Sequence, residues 1–171
     1  MNTWTIFIPS VVIMIFALVL IYLFINQENK RRRQEIRIKE GTELLRLRMQ
    51  AYERLILLIE RLSPESLVLR EKRNNMTTVQ FHTHLLKIIR REFDHNLAMQ
   101  LYVSTACWNK IKAAREKLIR LINTTAKDIK PEAPSLELGR QLIENTGEDV
   151  NLYLKDAIVT IKNEMNDYYG R

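Results

Sequence analysis

The spacing of apolar residues changes along this chain, and each change predicts a different helix. From Ile6 to Ile25 apolar positions run almost unbroken: fifteen of twenty are Ile, Leu, Phe or Val, and none is charged. Twenty helical residues rise about 30 Å, the thickness of a bilayer's hydrocarbon core. Each such residue contributes roughly −0.3 to −0.6 kcal/mol near the bilayer centre, which outweighs Pro9 and Ser10 at the outer end. The run predicts a membrane anchor over residues 1–27, with Trp4 and Tyr22 near the two interfaces. A cleaved leader fits less well. Residues 1–26 hold no Lys or Arg, no A-x-A-like site follows, and the run exceeds the about 7–15 apolar residues of a leader.

From Ile36 the spacing becomes helical and one-sided. Ile38, Leu45, Met49, Tyr52, Ile56 and Ile59 recur at intervals of seven, four, three, four and three, a heptad-like seam. Leu44, Ala51, Leu55, Leu58 and Leu62 widen it into a broad apolar face. The seam predicts either packing within the chain's own domain or self-association through those six positions. Gly41 is expected to mark a bend, since it weakens a helix by roughly 1 kcal/mol relative to Ala.

Ser63-Pro64-Glu65 predicts a new start, because Ser caps well, Pro suits the first helical position and Glu favours the dipole. A short helix from Pro64 to about Glu71 should follow, then a loop at Arg73-Asn74-Asn75. Thr77 or Thr78 opens the next helix, with Phe81, Leu85, Ile89 and Phe93 four apart, ending near Asp94-His95-Asn96. Leu101-Tyr102-Val103 reads as an extended connector. Ser104 caps a helix to about Ala126 that buries Cys107, Trp108, Ile111, Ala114, Leu118, Leu121 and Ile122. After Lys130-Pro131-Glu132-Ala133-Pro134, Ser135 should cap a brief helix to about Glu144. Asn145-Thr146-Gly147 is a turn, and a last helix spans about Glu148 to Tyr168. The fold class is all-α: an anchor (1–27), a basic segment with an amphipathic helix (28–62) and a helical domain (63–171).

Charge refines this picture. The formal net charge is +7. Residues 28–73 hold 13 basic and 8 acidic residues, a net of +5, while residues 74–171 hold 14 and 12, a net of +2. Lys30, Arg31, Arg32, Arg33, Arg37 and Lys39 follow the apolar run directly. Basic residues there are retained inside, which predicts a single-pass inner-membrane protein with Met1–Thr5 outside and a cytoplasmic C-terminal domain. The same residues would face anionic headgroups, at about 1 kcal/mol each. Nucleic acid is not an expected partner, since the nearly balanced later part lacks a basic face. On this topology the sequons at Asn75 and Asn123 carry no meaning.

Candidate chemistry is sparse. His82 and His84 point about 200° apart on a helix and cannot share a metal. Glu92-Phe93-Asp94-His95 matches one Glu-x-x-His unit of di-iron bundles, but a second is missing. His95 is expected instead to bond backbone at a helix end with Asp94 and Asn96. Cys107 lies on an apolar stripe beside Trp108, whereas a reactive thiolate needs a basic, exposed setting. No phosphate loop, G-x-S-x-G, H-E-x-x-H or EF-hand pattern occurs. We therefore expect no catalytic residue, cofactor or metal. The expected function is a scaffold or adaptor binding a protein partner or itself. The alternative is a redox or enzymatic domain using Cys107 or the Glu92–His95 region.

Four motifs carry a resemblance. Gln50-Ala51-Tyr52-Glu53-Arg54-Leu55, Glu60-Arg61-Leu62-Ser63-Pro64-Glu65, Arg91-Glu92-Phe93-Asp94-His95-Asn96-Leu97 and Gln100-Leu101-Tyr102-Val103-Ser104 with Trp108 resemble an uncharacterised bacterial family of small, single-span, membrane-anchored helical proteins. The resemblance extends to about Asn123, implies a helical fold and membrane location, and carries over no catalytic residue. A stalk like the ATP synthase b subunit also begins with a span and a charged helix, but Pro64, Pro131 and Pro134 argue against one long stalk.

Overall fold

The computed structural model of the chain describes residues 4–73, 75–145 and 148–169, with side chains over 14–73, 75–145 and 149–168. The regular elements among them are helical: α1 (Trp4–Leu62), α2 (Pro64–Glu71), α3 (Thr78–His95), a 3₁₀ helix (Leu97–Leu101), α4 (Thr105–Lys127), α5 (Ser135–Glu144) and α6 (Glu148–Tyr169). The all-α expectation holds. The chain forms two compact units, Met1–Arg46 and Leu47–Arg171.

In the first unit, the described part of α1 exposes apolar side chains from Met14 to Ile25 and then charged ones from Glu28. Here the membrane-anchor expectation is corrected. The side chains of residues 1–13, with Trp4 and the tail Met1–Thr5, lie outside the described residues. Among the described residues no helix is long and apolar enough to cross a membrane. A single-pass inner-membrane placement, N-terminus outside and C-terminal domain cytoplasmic, is therefore not supported. The assignment of Lys30, Arg31, Arg32, Arg33, Arg37 and Lys39 to headgroups loses its premise with it. These six side chains are exposed, and Arg32 pairs with Glu28 at 3.3 Å. The helix is continuous through Gly41.

The second unit begins before Ser63, because the last turns of α1 belong to its core. Ala51, Tyr52, Leu55, Leu58, Ile59 and Leu62 are buried, recurring every three or four residues. They cluster with Leu67 and Val68 of α2, Phe81, Leu85 and Ile89 of α3, Ile111 and Leu118 of α4, Leu138 and Leu142 of α5, and Leu154 and Ile161 of α6. Local capping sets the boundaries between these helices. Ser63 Oγ accepts from the Ser66 N–H, with Pro64 following as first helical residue. Thr77 and Gln80 form a reciprocal capping box, so Thr77, not Thr78, is the cap of α3. Ser104 Oγ accepts from the Cys107 N–H at 3.1 Å and caps α4.

Two local expectations differ. Leu101-Tyr102-Val103 is not extended; Leu101 closes the 3₁₀ helix and Tyr102 turns after it. Ser135 is the first residue of α5, not its cap; Pro134 holds that place. The reason is a clasp between two distant loops. The Thr78 N–H donates to Ala133 O at 2.8 Å, the Ser135 N–H to Met76 O at 3.0 Å, and the Ser135 hydroxyl to Arg73 O at 2.8 Å. The hydroxyl satisfies a distant carbonyl and is not free to cap.

The clasp aligns the starts of α3 and α5, and α5 then packs on α2 and α3. At the closest approach, a Cβ on Gly139 would lie 3.0 Å from Val68 Cγ1. Gly139→Val should therefore lower stability by about 1–3 kcal/mol through overpacking. Adding Val68→Ala should restore part of that loss in urea denaturation, and an equal loss without restoration would contradict the close contact.

Candidate functional site

Cys107, the one cysteine, lies at the first turn of α4 and is buried. Its neighbour is Glu164 of α6, which sequence reasoning did not single out. Glu164 Oε1 accepts from the Ser104 N–H at 2.7 Å and from the Tyr52 hydroxyl at 3.2 Å, and Oε2 accepts from the Ser104 hydroxyl at 2.6 Å. One carboxylate thus ties α1, the start of α4 and α6 together, and its charge favours a helix N-terminus. Burial pushes the Cys107 thiol up to about 12, and the Glu164 charge and hydrogen bond add to the effect. The same causes, burial first, raise Tyr52 well above an ordinary phenol. This setting is the reverse of one that activates a thiol. Iodoacetamide at pH 8 should modify native Cys107 about 1000-fold more slowly than an unfolded cysteine, since almost no thiolate is present. Mass spectrometry of the native and urea-unfolded chain reads this directly; comparable rates would contradict the buried, protonated thiol.

The Glu92–His95 stretch enters an ion-pair network. Arg61 reaches Glu92 Oε1 at 2.6 Å, Arg70 lies 3.8 Å from the same oxygen, and Arg70 Nε donates to Glu71 Oε1 at 3.0 Å. His84 Nε2 is 2.9 Å from Glu71 Oε2. His82, on the other side of α3, instead meets Asn123 Oδ1 at 2.8 Å. The two histidines thus serve different neighbours, as their spacing requires. At the end of α3, Asn96 Nδ2 donates to Glu92 O at 2.8 Å, while His95 is exposed. No group of three or more His, Cys, Asp or Glu among the described residues is placed to hold a metal.

Burial alone would raise the pKa of Glu71, but hydrogen bonds from Arg70 and His84 prevail and hold it below the ordinary carboxylate value. A depressed folded pKa means stability that is present above the unfolded value of about 4 and lost as pH falls through the folded one. The wild-type chain should therefore lose stability below pH about 4 more steeply than Glu71→Gln. Thermal melts from pH 6 to 2 test this, and parallel curves would sink it.

The seam residues scatter. Tyr52 and Ile59 are buried in the intrachain core, Met49 and Ile56 pack against it, Leu45 is half-exposed and Ile38 exposed. The C-terminal half of the seam is thus largely used within the chain.

An apolar groove remains on the second unit. Val68 and Leu69 of α2, with Lys72 after it, face Leu136, Gly139, Arg140 and Ile143 of α5 across about 210 Å³, with Phe81 and Ser135 at the floor. Leu69, Leu136 and Ile143 are 65%, 57% and 38% exposed. Its two charged lining residues, Lys72 and Arg140, are both cations. The signal was present in α5. Leu136 and Ile143 lie seven apart on a ten-residue helix whose other side already carries Leu138 and Leu142 to the core. A larger cleft of about 690 Å³ borders Ser104, Thr160, Asn163, Glu164, Asp167 and Tyr168, and both oxygens of Glu164 are already engaged there.

Residues 1–168 match the Family of unknown function (DUF7935), and the chain belongs to that family. The match reaches past Asn123 and takes in the C-terminal third. No curated protein and no solved structure matches the chain.

Proposed function

We propose that the chain is an interaction protein whose helical unit, Leu47–Arg171, docks an amphipathic helix in the α2–α5 groove. The observation that carries this reading is the exposure of Leu69, Leu136 and Ile143 around one recess. Leaving three large apolar side chains in water forgoes several kcal/mol that a partner's apolar face recovers. The reactive residue types support the same reading. Cys107 is buried, Glu164 accepts from Ser104 and Tyr52, and Glu71 and Glu92 pair with arginines. A helix laid in a groove is read through apolar anchors one and two turns apart, as Leu136 and Ile143 are placed to do.

A photo-reactive benzoylphenylalanine at position 136 of the full chain, expressed in cells, should yield a discrete adduct on irradiation. The same probe at exposed Glu116 should not. Leu69→Asp should cut the adduct by about fivefold or more, since a charge in an apolar contact costs at least 1 kcal/mol. Equal adducts from both positions, or none sensitive to Leu69→Asp, would count decisively against the groove.

A further inference from the structure

We infer that the groove receives the outward face of α6 from a second copy of this chain, packed head to tail; this rests on the groove being a docking surface. Two spacings match. Leu136 and Ile143 lie seven residues apart on α5, and Leu152 and Val159 lie seven apart on α6. Both intervals are two turns, about 10.5 Å, so the two ridges can interlock along one line. Leu152 and Val159 are 63% and 51% exposed, while Leu154, Ala157 and Ile161 on the opposite side of α6 are buried.

Charge is complementary as well. The groove presents Lys72 and Arg140. On α6, Asp149, Asp156 and Asp167 fall within about 60° of the Leu152–Val159 line at 100° per residue, opposed there by Lys155 and Lys162, an excess of one acid. The helix as a whole has five acidic and two basic residues, a net of −3. Arg140 pairs with Glu144 at 3.3 Å and Asp156 with Lys110 at 2.6 Å, but these pairs are exposed and worth about 0–1 kcal/mol, so a docked copy can exchange them.

Within one molecule α6 packs on α4, and α5 packs on α2, α3 and α4. Groove against groove would oppose like charges. The contact is therefore heterologous, and repetition gives a ring if the rotation closes or a filament if it does not.

Cysteine crosslinking of the full chain separates these arrangements. Leu136→Cys and Val159→Cys are made singly and together and treated with a short bismaleimide; buried Cys107 leaves the unaltered chain as the blank. The double variant should form a ladder of dimer and larger species. Neither single variant alone should crosslink, and a mixture of the two should stop at dimer. Adding Lys72→Glu and Arg140→Glu should reduce the ladder by about fivefold. Self-crosslinking of Leu136→Cys would overturn the head-to-tail arrangement. A monomeric double variant, while the position-136 photoprobe still captures another protein in a Leu69-dependent way, would overturn this inference and leave the groove standing. Failure of both readouts would remove the two together.

Discussion

Helix α5 reaches α2 across a position where no side chain fits without displacement. Glycine inside a helix costs about 1 kcal/mol relative to alanine, and Gly139 sits in the middle of a ten-residue helix. The approach it allows carries Leu138 and Leu142 to full burial, each contributing roughly 1.5–3 kcal/mol. The gain exceeds the cost, so α5 closes. Closure also fixes what remains outside. A helix this short has turns enough to bury one stripe only, and the clasp between residues 76–78 and 133–135 sets which stripe that is. Leu136 and Ile143 are left facing water beside Leu69, so the groove follows from the same contact that completes the core.

A second organising contact is polar. The Glu164 carboxylate reaches Ser104 at the head of α4 and Tyr52 in α1. Its three hydrogen bonds hold the half-buried carboxylate at this junction, and its position on the α4 dipole adds to the balance. Cys107 is then enclosed beside an anion, which keeps its proton on. The thiol is a consequence of packing at this junction.

Local signals in the sequence were legible wherever a boundary depends on neighbours within four residues. Ser63 with Pro64, Thr77 with Gln80, and Ser104 each cap the helix that their spacing announced. The stripe Phe81, Leu85, Ile89 and Phe93 is buried as its period requires. Signals that depend on distant partners were not legible. Ser135 has the chemistry of a cap but bonds Arg73 O, a choice visible only once the two loops meet. Glu164 is one of several acids on α6, and nothing local distinguishes it from Asp167. Tyr52 and Ile59 obeyed a heptad period, yet a stripe widened by Leu55, Leu58 and Leu62 is too broad for a two-chain seam and is covered by the chain's own helices. The apolar run at Ile6–Ile25 invites a membrane reading on composition, yet among the described residues no helix is long and apolar enough to cross a membrane.

Cys107 and Glu71 are both held by their surroundings. A catalytic centre needs titratable groups poised near working pH and open to a substrate. Here burial and Glu164 take the thiol far above that range, and Arg70 and His84 hold Glu71 below the ordinary carboxylate value. The second unit leaves apolar surface exposed in helical register, two residues on α5 beside Lys72 and Arg140 and two on α6 beside an excess of acid. Apolar area supplies attraction without direction, and the flanking charges supply the direction. Surfaces with that division of labour are suited to holding another helix.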